Sequence, residues 1–160
     1  MFDDLIAANQ AYQEGFALGG LAAPARRGLA VVTCIDSRIE PLAMLGLEPG
    51  DAKILRNAGA RVTEDVLRSL VLAVNFLDVR RVCVVQHTDC AMAKNSDAEF
   101  REQLAARGLD ATTWAFHAID DVDRVLRADV QVLREHALLP GISVAGFRYD
   151  VLTGALDPVP

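Results

Sequence analysis

Basic charge is scarce in this chain: 16 Lys and Arg stand against 22 Asp and Glu, for a formal net charge of −6. That balance argues against nucleic acid or an anionic membrane as the main partner, since both select basic patches. The two basic doublets, Arg26–Arg27 and Arg80–Arg81, each precede an apolar run and read as solvated flanks. Long apolar runs are missing too. The stretch Gly28 to Ile35 falls far short of the roughly 20 residues that cross a bilayer. The opening Met1-Phe2-Asp3-Asp4 has the wrong charge for a signal peptide. Cysteine is sparse and odd in number, with three residues, so a fully paired disulfide framework within one chain is excluded. A reducing cytoplasm is expected, where thiolates serve metals or catalysis.

What the chain does have is apolar residues, at 52%. Its 160 residues suit one domain, 1–160, with a real core. Apolar surface is left over, which points to a partner subunit.

Leu5, Ile6, Asn9, Tyr12 and Phe16 recur near helical spacing and stop at Gly19-Gly20, an amphipathic helix. Leu29 to Ile35 reads as a strand apolar on both faces, as central parallel strands are. Pro41 to Leu47 suits a brief helix, and Ala52 to Arg56 a second strand. Thr63 is positioned to N-cap a helix carrying Val66, Leu67, Leu70, Val71, Val74 and Leu77. Arg81 to Gln86 is a third strand. Ser96 and Glu99 form a capping box, closed by Gly108. A longer helix is expected from Ile119 to Ala137, supported by Asp120–Arg124 and Asp123–Arg127 pairs. Ile142 to Tyr149 is a fourth strand, and Thr153-Gly154 turns toward a fifth. Alternating strands and helices predict an α/β fold: three layers, with a mostly parallel sheet of four to five strands flanked by helices.

Two short motifs follow central strands: Cys34-Ile-Asp36-Ser-Arg38 and His87-Thr-Asp-Cys90. Sites in open α/β sheets form beyond the carboxyl ends of strands. Adjacent strands would bring Cys34 to His87 and Cys90, three good zinc ligands that leave an open fourth position. Three plus an opening is the catalytic pattern, whereas structural zinc sites are closed. Asp36 could reach the metal or its bound hydroxide, and Arg38 could hold Asp36 ionised. Cys83, in mid-strand, reads as a small buried hydrophobe. His117 and His136 have no partner at ligand spacing.

Together these motifs resemble the β-class carbonic anhydrases, and the compact bacterial branch in particular. The likeness extends to Arg56-Asn57-Ala58-Gly59 and to Gly146 through Gly154, covering about residues 28 to 156. It implies Zn²⁺ on Cys34, His87 and Cys90, with Asp36 and Arg38 as the catalytic dyad. Asp36 would join the metal only in a closed state, favoured at low pH. Gly59 and Ala91 are the implied substrate-facing positions, Ala91 standing where the family usually has glycine. The implied reaction is hydration of carbon dioxide to bicarbonate by a zinc-bound hydroxide, with carbon dioxide and bicarbonate as the small-molecule partners. The resemblance further implies a homodimer, or an oligomer of dimers, with residues 1–18 packing on the neighbouring subunit. Carbonyl sulfide or carbon disulfide hydrolysis is the alternative on the same scaffold. A non-catalytic, zinc-stabilised protein is the more distant one, and it has no need of the Asp36–Arg38 pair.

Overall fold

The computed structural model describes all 160 residues. Five strands form one sheet in the order β2-β1-β3-β4-β5. They are β1 (Leu29–Cys34), β2 (Ala52–Asn57), β3 (Arg81–His87), β4 (Ser143–Tyr149) and β5 (Leu156–Val159). The first four run parallel, and β5 returns antiparallel along β4. Five helices accompany them: α1 (Asp3–Glu14), α2 (Pro41–Met44), α3 (Glu64–Phe76), α4 (Asp97–Ala105) and α5 (Val122–Glu135).

The two sheet faces are built differently. Ala30, Val32, Val82, Val84 and Val144 point to one side, where they meet Val66, Leu70, Ala73 and Val74 of α3 and Leu126, Val130 and Leu133 of α5. Those helical residues recur at three- and four-residue spacing, so each helix turns one apolar stripe to the sheet. Gly146 lets α5 come close, because a Cβ there would lie 3.0 Å from Leu126 Cγ and 3.2 Å from Val130 Cγ2. Val31, Cys83 and Val85 point to the other side, against half-buried Met44, Leu45, Phe147 and Leu156. A groove of about 360 Å³ remains open there, lined in part by Leu29, Leu45, Leu47, Cys83, Phe147 and Leu156. Helix α1 buries none of its residues, and it leaves Leu5, Ile6 and Tyr12 exposed.

Several local expectations are corrected. Thr63 precedes α3 but makes no side-chain cap bond; its hydroxyl lies 3.5 Å from Asn57 Nδ2 instead. Helix α5 begins at Val122 because Asp121 caps it by accepting from the Arg124 amide. Ile119 therefore lies before the helix, buried beside Gly59 and bonded through its amide to the Met92 carbonyl. Asp123 turns to Arg148 of β4 rather than to Arg127, whose Nε donates to the Pro160 carbonyl. Helix α1 ends at Glu14, short of Gly19-Gly20, and Ile35 lies beyond β1 and is exposed. The basic doublets do more than face solvent: Arg26 bonds Asp51 and the Pro49 carbonyl, and Arg80 bonds the Val74 and Val79 carbonyls. The Ser96–Glu99 capping box and the Asp120–Arg124 pair are present as expected. No helix is long and apolar enough to cross a membrane.

Candidate metal centre

Strand β1 is flanked by β2 on one side and β3 on the other, so the direction in which strands are added across the sheet reverses here. A crevice opens beyond the carboxyl ends of strands at such a switch point. Cys34 is the last residue of β1 and His87 the last of β3, and pairing of Thr33 with Val85 locks the two ends together. Asp89 then adopts a left-handed backbone, with φ 55°, a conformation aspartate tolerates better than most residues. This turn carries the chain back so that Cys90 faces His87.

Cys34 Sγ, His87 and Cys90 Sγ bring one donor atom each, all within 4.8 Å of one another and all buried. The two sulfurs lie 4.0 Å apart. Two thiolates on one tetrahedral zinc at about 2.3 Å stand roughly 3.8 Å apart, so the spacing fits. The imidazole is also poised for a metal. His87 Nδ1 is 2.8 Å from the Thr88 carbonyl, which fixes the proton on Nδ1 and leaves a lone pair on Nε2. That Nε2 is buried without any hydrogen-bond partner. An orphaned ring nitrogen facing two thiols is what a thiolate–imidazole zinc site requires, and the donor set fits the ion.

The electrostatics are those of a thiolate pocket. The Cys34 thiol is pushed down to about 4, chiefly by a hydrogen bond from Cys90, against burial and with help from His87 and the Asp36 and Gly59 amides. Cys90 is pushed up, first by Cys34 and then by burial. Burial pulls the His87 pKa down, but the Cys34 sulfur outweighs it and the net shift is upward. Cys83 is pushed up to about 11 by burial and takes no part.

Asp36 stands outside the three-donor cluster, with Oδ2 4.0 Å from His87 Nε2. Arg38 grips both its oxygens, Nε to Oδ1 at 3.0 Å and Nη2 to Oδ2 at 2.7 Å, and adds its backbone N–H at 2.9 Å. These bonds hold the Asp36 carboxyl well below the usual range and raise the Arg38 guanidinium in return. Ala91 opens a single 3₁₀ turn, Ala91–Ala93, without positive φ, so the glycine usual at this position is not demanded by the backbone. Gly59 does need its conformation, at φ 77°, and a Cβ there would sit 3.0 Å from Ile119 Cδ1. Its N–H donates to Cys34 Sγ at 3.3 Å. His117 and His136 lie outside the three-donor cluster.

Three contributors have roles that the motifs do not reveal. Arg56 donates to the Cys34 and Asp36 carbonyls at 2.9 and 2.7 Å, tying together the loop that carries both. Asp89 gives Arg38 a second carboxylate at 2.9 Å and is itself bonded by Lys94 at 2.7 Å. Arg61 pairs with buried Asp129 of α5. Asp129 was detectable in principle, as a charge lying within the apolar stripe of α5.

Residues 29–136 match the carbonic anhydrase family. With this sheet and this Cys-His-Cys cluster, the chain belongs to the β-carbonic anhydrases and is an enzyme of that family. It is 35% identical to β-carbonic anhydrase 1 of Mycobacterium tuberculosis, over 98% of this chain and 96% of the relative. A carbon disulfide hydrolase of Acidianus is 32% identical over 83% of this chain and 78% of its own. Among solved structures, the carbonic anhydrase of Streptococcus mutans superposes with a TM-score of 0.94 at 41% identity, covering 99% of this chain and 97% of that one.

Proposed function

We propose that the protein catalyses the reversible hydration of carbon dioxide to bicarbonate and a proton, with zinc on Cys34, His87 and Cys90. The observation that carries this reading is the buried, partnerless His87 Nε2 facing two thiols beside an ionised Asp36. When bound, zinc supplies Lewis acidity, lowering the pKa of water so that a nucleophile is available near neutral pH. The chain's residues do the rest. Asp36 is kept ionised by Arg38, so its Oδ2 accepts a hydrogen bond from the reacting water and aims the free lone pair at carbon. Arg38 cannot lose its proton and therefore holds this geometry across the working pH range. The Gly59 N–H draws charge from the Cys34 sulfur.

A closed state, with Asp36 transferred to the metal at low pH, would have to break the paired Arg38 side-chain contacts and the hydrogen bond from the Arg38 backbone N–H together. Zinc absorption spectra at acidic and alkaline pH test it: Asp36 remaining off the metal in acid rules it out. The second reading, hydrolysis of carbon disulfide or carbonyl sulfide, draws support from the Acidianus relative. We further infer a homodimer in which residues 1–18 of one copy cover the open sheet groove of the other. An α1 with no buried residue and an uncovered apolar groove support this. A reducing, cytoplasmic setting is supported by three unpaired thiols.

The test is stopped-flow turnover by zinc-loaded protein on carbon dioxide, carbonyl sulfide and carbon disulfide, with metal analysis of Cys34→Ser and Cys90→Ser. Carbon dioxide turnover and loss of zinc in both variants are expected. Full zinc occupancy in both would end the ligand assignment. Turnover confined to the sulfur compounds would transfer the chain to the second reading.

A further inference from the structure

Asp129 is an expensive residue to keep. It lies on the buried stripe of α5 at 4% exposure, between Leu126, Val130 and Leu133. Burying a carboxylate costs several kcal/mol unless it is paired, and a well-packed apolar pair in its place is often neutral or better. Stability alone is therefore a poor account of it.

Its partner shows what it reaches. Arg61 Nε and Nη2 donate to the two Asp129 oxygens at 2.8 and 3.3 Å, while Arg61 Nη1 donates to the His117 carbonyl at 2.7 Å. The Arg61 backbone closes a ring with Asn57: its N–H donates to Asn57 Oδ1 at 2.9 Å, and Asn57 Nδ2 donates to its carbonyl at 2.7 Å. Inside that ring lies Gly59, whose N–H points at Cys34 Sγ. The His117 contact fixes the segment that carries Ile119, which packs on Gly59. On its other side Asp129 faces Gln86 Nε2 at 3.5 Å, next in sequence to His87.

We propose that Arg61 and Asp129 are positioning residues for the metal centre: anchored on α5, they set the 57–61 turn so that the Gly59 N–H is held on the Cys34 sulfur. Neither touches a ligand atom. They act through the turn, as outer partners of metal ligands do when they orient the inner set. The proposal rests on the zinc reading above.

The full-length chain tests it in four forms: wild type, Asp129→Asn, Arg61→Lys, and the apolar double replacement Arg61→Met with Asp129→Leu. Zinc affinity is read by competition with a chromophoric chelator, the sulfur-to-metal charge-transfer band on cobalt-loaded protein, and fold stability by guanidinium unfolding. Asp129→Asn and Arg61→Lys should each weaken zinc binding by about tenfold and shift the cobalt band. The double replacement should regain wild-type stability while its affinity stays low, because an apolar pair restores packing but supplies no donors. Recovery of both affinity and band in the double replacement would show that the pair acts only through the fold. Unchanged affinity and band in folded Asp129→Asn would overturn the proposal equally, and if that variant does not fold, Arg61→Lys decides it in the same way. A wild-type chain that takes up no zinc defeats the zinc reading and this inference together, and does so before any variant is compared.

Discussion

The two faces of the sheet are unequal. Beneath α3 and α5 lies a closed core of 15 buried residues, whereas the opposite face gathers only three, with half-buried neighbours and an open groove. The first face has what a domain needs to fold by itself. The second leaves an apolar groove uncovered, and α1 buries none of its residues against its own chain. In the proposed dimer, stability and assembly fall to different sides of one sheet, and the candidate metal centre sits at the strand ends where the two meet.

Substitutions can break that contrast. The largest effect is expected at Leu126, fully buried on the closed face, where replacement by Ala should cost about 2–5 kcal/mol in guanidinium unfolding. A loss below about 1 kcal/mol would mean that the closed face is not the seat of stability. Gly146→Ala forces a methyl against Leu126 and Val130 and should cost roughly 1–3 kcal/mol in the same measurement. Removing residues 1 to 18 should leave the closed core intact and weaken self-association at least about tenfold, about 1.4 kcal/mol, by analytical ultracentrifugation. A full-length chain that sediments as a monomer at every concentration would remove the contrast altogether. The smallest effect belongs to Ala91→Gly. With Ala91 exposed and in an ordinary backbone conformation, stability should change by less than about 1 kcal/mol. Zinc content should stay the same and carbon dioxide turnover should rise; unchanged kinetics would show that the methyl points away from the substrate.

Much of this was legible because its causes are local. Unbroken apolar runs marked β1 and β3 as central strands, and the motifs at their ends pointed to Cys34, His87 and Cys90. The Ser96–Glu99 box and the Asp120–Arg124 pair were readable for the same reason, since each needs only three or four residues. Misreadings arose where a distant partner outbid a near one. Asp123 had Arg127 one turn away but takes Arg148, from a strand that sequence spacing cannot place beside it. Ile119 fits the stripe of α5 by count, yet Asp121 starts the helix later and Ile119 packs on Gly59 instead. The Arg61–Asp129 pair spans 68 positions and becomes visible only when α5 lies across the sheet.

The antiparallel return of β5 has a consequence for how copies of this chain can meet. A sheet can grow by accepting a new strand at its rim, a route toward aggregation that natural proteins block. On one rim β5 is only four residues long and includes Pro158, which has no N–H to offer an incoming strand. On the other rim β2 presents Lys53 and Arg56, both engaged with carbonyls of their own chain. With both rims blunted, a second copy meets a face of the sheet rather than its edge in the dimer proposed above, so association should saturate at a closed assembly rather than run on into fibres.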